Sequence, residues 1–160
     1  MTAWFMGYYE HTLDVKGRII VPAKLRDQLD PEVNGEEFVA TPAPEGCLFL
    51  YPKLEWRRMC ESQGQFSKGS PQLRMFQRVW HANADLLTLD KQGRLLIPDR
   101  LRKMAQIERD LVIAGCYDRV EVWSSERWAE AQAAARWNYD AQVQEFLGGV
   151  SSPDGPAQGE

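Results

Sequence analysis

The chain has 160 residues, of which 44% are hydrophobic and 26% charged, with a formal net charge of −4. This is enough apolar material for a substantial core, in one compact domain or two small lobes sharing an interface. The acidic balance excludes a protein that coats nucleic acid indiscriminately, so any nucleic-acid surface must be local.

Residues 4–9, Trp-Phe-Met-Gly-Tyr-Tyr, read as a packed terminal strand or turn ahead of the first repeated element. Residues 12–26 run Thr-Leu-Asp-Val-Lys-Gly-Arg-Ile-Ile-Val-Pro-Ala-Lys-Leu-Arg, and residues 88–102 run Thr-Leu-Asp-Lys-Gln-Gly-Arg-Leu-Leu-Ile-Pro-Asp-Arg-Leu-Arg, with eight of fifteen positions identical. Chance would give about one, so this is an internal duplication, and it favours two lobes. Asp14 and Asp90 open a tight turn with a side-chain acceptor, and Gly17 and Gly93 sit where the chain often needs positive φ. Each copy is therefore strand, turn, strand. The return runs, Ile19-Ile20-Val21 and Leu95-Leu96-Ile97, are continuously apolar and suit strands covered on both faces. Pro22 and Pro98 then start a short helix whose inner side carries Leu25 with Leu29, or Leu101 with Met104.

After the first copy, Asn34-Gly35 marks a turn into a strand at Phe38–Thr41, and the Pro42–Gly46 loop leads to another at Leu48–Tyr51. Leu54–Cys60 reads as a helix and Gly64–Gly69 as a loop. Ser70-Pro71 caps a further helix with Leu73, Phe76, Val79 and Trp80 on one stripe and Arg74 and Arg78 opposite. That helix is either a linker covering the core or a contact between subunits. Beyond the second copy, Leu111–Ala114, a turn at Gly115–Asp118 and Val120–Trp123 repeat the strand order, with Trp56 and Trp128 as matching core anchors at the entries to helices. Residues 126–147 form a helix with Trp137, Val143 and Phe146 as inner positions, and the Gly-, Ser- and Pro-rich ending from Gly148 to Glu160 is expected to be disordered.

What faces outward around each turn is basic. Arg18 and Arg94 follow the turn glycines, Lys16 and Lys91 lie in the turns, and Lys24, Arg26, Arg100 and Arg102 lie on the short helices. A planar guanidinium beside a glycine turn suits a phosphate or a guanine edge. The alternative is that Arg18 and Arg94 simply pair with Asp14 and Asp90 and hold the hairpin; duplication of the same basic turn favours function. Cys47, Cys60 and Cys116 lack CxxC spacing, and His11 and His81 are scattered, so neither a disulfide framework nor a metal site is supported. No nucleophile and base pairing or phosphate-cradling glycine loop is visible, so no enzyme, cofactor or small-molecule substrate is expected. With no apolar run near membrane-spanning length and no signal-peptide layout at the start, a cytosolic protein is expected.

The pattern Asp-x-Lys-Gly-Arg, apolar strand, Pro and a basic helix ending in Leu-Arg resembles the AbrB-type swapped-hairpin DNA-binding unit. Two copies, opened by Phe5-Met6-Gly7 and Tyr9 ahead of His11-Thr12-Leu13-Asp14, resemble the MraZ family of bacterial transcriptional regulators up to about Leu147. The second copy departs in carrying Gln92 where the first has Lys16, with Lys91 one place earlier. The resemblance implies a mainly β fold with helices (α+β), in which two AbrB-like units form a pseudo-dimeric β-barrel within one chain. Its parts would be unit 1 at 7–54, a helical linker at 55–82, unit 2 at 83–126, a C-terminal helix at 127–147 and a tail at 148–160. It also implies a homo-oligomeric ring, nucleoid association, and binding to short direct repeats in double-stranded DNA upstream of division and cell-wall genes. Arg18 and Arg94 would read bases or adjacent phosphates, and Lys16 and Lys91 would supply charge. Lys24, Arg26, Arg100 and Arg102 would assist, while Asp14, Gly17, Asp90 and Gly93 shape the turns. The other class open to this chain is an antitoxin-like interaction module that clasps a protein partner with its C-terminal helix.

Overall fold

A computed structural model of the chain describes residues 4–66 and 69–148; most of the expected tail and part of the 64–69 loop lie outside the described residues. The chain up to Arg127 is one compact unit, and residues from Trp128 onward belong to a second.

The first copy and its continuation supply strands β1 (Tyr8–Thr12), β2 (Arg18–Ile20), β3 (Glu37–Pro42) and β4 (Leu48–Pro52), and the second supplies β5 (Asp85–Thr88), β6 (Arg94–Leu96), β7 (Asp110–Gly115) and β8 (Val120–Ser124). The strands of one copy pair chiefly with those of the other. β1 runs antiparallel to β7, β5 to β3, and β4 to β8, giving a six-stranded sheet in the order β1-β7-β8-β4-β3-β5, while β2 and β6 pair as a separate two-stranded ribbon. The ribbon register is symmetric about the Ile19–Leu95 pair, with Arg18 opposite Leu96 and Ile20 opposite Arg94. Each sheet edge enters the ribbon through a turn, whose first hydrogen bond runs from Asp14 N–H to the Arg18 carbonyl (3.0 Å) or from Asp90 N–H to the Arg94 carbonyl (2.9 Å). The eight strands thereby surround one core, a mainly β fold with helices in which the duplicated halves interlock as a pseudo-dimer.

The halves share this core instead of standing as two lobes. Ile19, Val21 and Leu25 from the first copy lie in one buried cluster with Leu95, Ile97 and Leu101 from the second. Burying each such side chain contributes about 1.5–3 kcal/mol. The return strands differ from the expectation of cover on both faces: Ile19, Val21, Leu95 and Ile97 are buried, but Ile20 and Leu96 point out, 50% and 57% exposed. A two-stranded ribbon over a sheet has one dry face only, so alternation reasserts itself.

Pro22 and Pro98 cap α1 (Ala23–Arg26) and α5 (Asp99–Met104), with φ of −52° and −55° already near helical values. Leu25, Leu29 and Leu101 are buried as expected, whereas Met104 is exposed and Ala105 and Ile107 fill the core in its place. The first copy also inserts α2 (Pro31–Asn34), capped by the Asp30 carboxylate. The buried Asn34 accepts the Leu54 N–H at 2.8 Å and so fastens α3 (Lys53–Ser62) to it. In α4 (Pro71–Trp80) the Ser70 hydroxyl caps Leu73 N–H, and Trp80 is buried with its ring stacked on half-buried Trp56 at 5.9 Å. The expected stripe is only partly covered, since Phe76 and Val79 remain exposed. α6 (Ser125–Leu147) occupies the expected range, but Trp137 and Phe146 stand out from it at 89% and 73% exposure instead of facing inward. Trp128, near its start, is half-buried.

Candidate nucleic-acid interface

Both turns are built around an aspartate. Asp14 Oδ1 accepts the backbone N–H groups of Lys16 and Arg18, each at 2.9 Å, and Asp90 Oδ1 accepts those of Gln92 and Arg94 at the same distances. Gly17 and Gly93 close the turns in the left-handed region, with φ of 82° and 76°, which glycine adopts without steric cost. Hydrogen bonds to the charged form favour it. The backbone N–H of Arg18, against a smaller cost of desolvation and with help from the arginine side chain, holds the Asp14 carboxyl below its ordinary range; the Arg94 N–H does the same for Asp90.

The ion pair across each turn is present. Arg18 Nε and Arg94 Nε each donate to the second carboxylate oxygen of their aspartate at 2.7 Å. These pairs are partly exposed, 25% and 26% at the arginines, so as stabilising contacts they are modest. Their effect is orientation: a guanidinium has five donors, and one carboxylate oxygen on Nε fixes its plane while using one of them. The second arginine is further engaged, because Nη2 of Arg94 donates to Gln92 Oε1 at 2.6 Å.

The ribbon brings the two arginines together. Arg18 and Arg94 occupy the same face as diagonal neighbours across β2 and β6, a relation that sets such residues about 7–8 Å apart, within reach of long side chains. Ile20 and Leu96 complete that face, and exposed Lys16 and Lys91 stand at its two ends because the ribbon is antiparallel. The result is a narrow two-stranded strip with cations at the centre and at both tips.

The helix cations fall into different roles. Arg26 and Arg102 lie against the turn of the opposite copy: a Cβ built on Gly93 would lie 2.6 Å from the Arg26 guanidinium carbon, and one on Gly17 would lie 3.0 Å from that of Arg102. Each is anchored by Nε to its own strand end, Arg26 to the Val21 carbonyl at 2.9 Å and Arg102 to the Ile97 carbonyl at 3.1 Å. Val21 and Ile97 in turn donate their N–H groups to the carbonyls of Gly93 and Gly17. Each turn is thus seated on the other half of the chain. Arg100 reaches the Asn83 carbonyl at 3.3 Å and Asp85 at 3.6 Å, tied to β5, while Lys24 is exposed. Sequence reasoning missed the seating role of Arg26 and Arg102, because it depends on contacts between halves. It also missed the exposure of Ile20 and Leu96, because a three-residue apolar run carries no periodicity.

Away from the ribbon, burial raises the thiols of Cys47 and Cys116, the latter to about 12. Among the described residues no group of three or more His, Cys, Asp or Glu is placed to hold a metal ion, and no helix is long and apolar enough to cross a membrane.

Two interlocked halves that share a core and carry an oriented pair of arginines on one ribbon define a duplicated, mainly β protein with a basic outward strip. The family model described as "MraZ protein, putative antitoxin-like" matches residues 4–79 and 81–148, one match for each half. The transcriptional regulator MraZ of Heliobacterium modesticaldum is 43% identical over 143 residues, which cover 89% of this chain and 96% of that protein. Its namesake from Pediococcus pentosaceus is 43% identical over 136 residues, covering 85% and 92%. The one from Lachnoclostridium phytofermentans is 47% identical over 124 residues, covering 78% and 84%. The chain belongs to the MraZ family of transcriptional regulators.

Proposed function

We propose that the chain regulates transcription by laying the β2–β6 ribbon into the major groove of double-stranded DNA. The observation that carries this reading is the placement of Arg18 and Arg94 on one outward face, each oriented by an aspartate and flanked by Lys16 or Lys91. A major groove about 12 Å wide admits a two-stranded β-ribbon, and arginine paired with guanine is its commonest specific contact. Arg18 and Arg94 read base edges or neighbouring phosphates, Lys16, Lys91 and Lys24 supply charge, and Arg26 and Arg102 hold the turns.

So few cations bind one site weakly, since each neutralised phosphate adds only about −0.9 to the salt slope. Affinity therefore comes from repetition. Protomers joined head to tail in a ring meet the duplex in the same sense and select short direct repeats, and tethering raises avidity by roughly 10² to 10⁴. The targets are repeats upstream of division and cell-wall genes, with the protein in the cytoplasm and associated with the nucleoid. The test is a titration of the chain's own upstream DNA at several salt concentrations. The Arg18→Ala, Arg94→Ala double variant is expected to lose specific binding and to have a shallower salt slope; wild-type affinity in that variant would remove the assignment.

A second reading is favoured by the family description, which includes the words "antitoxin-like". It assigns the exposed Trp137, Tyr139 and Phe146 of α6 to a clasp on a small protein partner. Co-purification of such a partner with the intact chain, lost on Trp137→Ala, would support it.

A further inference from the structure

The outward face of the ribbon carries two side chains for which neither the core nor the ion pairs account. Ile20 and Leu96 are half exposed at equivalent places in the two copies. A strand that covers a core on one side ordinarily turns polar residues to water on the other; here each strand turns one arginine outward and beside it one branched aliphatic, Ile20 on β2 and Leu96 on β6. Each stands directly opposite the other copy's arginine, Ile20 against Arg94 and Leu96 against Arg18, and opposed residues hold their Cβ atoms about 4.5–5.5 Å apart. A phosphate offers such side chains nothing. On the major-groove edges of the bases the one apolar group is the C5-methyl of thymine.

We infer that Ile20 and Leu96 are specificity-determining residues that contact thymine methyl groups next to the bases read by Arg94 and Arg18. Each half of the reader then combines an arginine from one copy with an aliphatic side chain from the other. This rests on the DNA-binding reading above and deepens it by naming the base.

The test begins with duplexes that the full chain selects from a random-sequence pool. They are remade with deoxyuridine for thymidine, which removes only the methyl, and titrated against the wild type and an Ile20→Ala, Leu96→Ala variant. The wild type is expected to lose about fourfold in affinity per contacted methyl, equivalent to about 0.8 kcal/mol. The variant is expected to bind both duplexes equally. Equal binding by the wild type, or discrimination retained in the variant, overturns the inference and leaves the DNA-binding reading standing. Failure to select any duplex sinks that reading and this one with it. The deoxyuridine comparison uses the unaltered protein, so its outcome does not depend on how the variant folds.

Discussion

At the turn from Asp14 to Gly17, the following arginine is held through Nε, with no further side-chain bond among the described residues. At the turn from Asp90 to Gly93, Arg94 is held through Nε and again through Nη2, which Gln92 accepts. The backbones match in every aspartate hydrogen bond, yet Lys16 stands where Gln92 stands, and an ammonium has no acceptor to offer. Their surroundings differ in the opposite sense. Arg102 beside the first turn shares the Asp99 carboxylate at 3.1 Å, whereas Ala23 takes that place next to Arg26 beside the second. Backbone geometry, fixed by aspartate and glycine, is common to both turns, while the number of free donors and the local charge depend on neighbours that can change separately.

The largest test of that difference is to remove one arginine at a time. Arg18→Ala is expected to lower DNA affinity by about 1–3 kcal/mol, as for a lost bidentate contact, and Arg94→Ala by an amount at the lower end of that range; equal losses in matched titrations would mean that Gln92 does not restrain its arginine. Stability should differ in the other direction. Gly17→Ala forces a left-handed alanine, which costs about 1–2 kcal/mol. Gly93→Ala adds displacement of Arg26 and loss of its bond to Val21, about 1 kcal/mol more, and urea unfolding of the two variants would rank them. A smaller effect follows from Gln92→Lys, which frees Arg94 Nη2 and adds a cation. The salt slope is expected to steepen by about 0.9 if the new ammonium meets a phosphate, and Lys16→Gln should do the reverse.

The smallest effect is on acid stability. Asp14 and Asp90 titrate below the ordinary carboxylate value of 3.8 in the folded chain. Their contribution is therefore complete above the unfolded value and is lost as pH falls through the lowered folded one. The contribution of these groups to unfolding midpoints is expected to be independent of pH near neutrality and to fall off below about pH 4, with a flatter acid limb in an Asp14→Ala, Asp90→Ala variant.

Much of this was legible in the sequence because it is local. Aspartate, glycine and proline at fixed offsets are enough to specify turn, return strand and helix start, and they recur in both copies. Pairing partners are not local. Nothing in Arg18-Ile19-Ile20 says that it will lie against Arg94-Leu95-Leu96 instead of its own hairpin neighbour; the swap was implied by the resemblance, not by the residues. Two consequences of the swap were unreadable for the same reason: the outward aliphatics, and the arginines at the ends of the motifs lying under the opposite turn. The ion pairs were foreseen as an alternative to a binding role, yet they leave donors free and aim them.

Because both halves lie on one polypeptide, a mutation can alter one tip without touching its mate, which no pair of identical subunits allows. The ribbon consequently carries its ammonium at Lys16, beside Val15, at one end and at Lys91, beside the amide of Gln92, at the other. Rotating it by half a turn does not reproduce the same surface, so any duplex lying along it would meet a reader with a sense of direction.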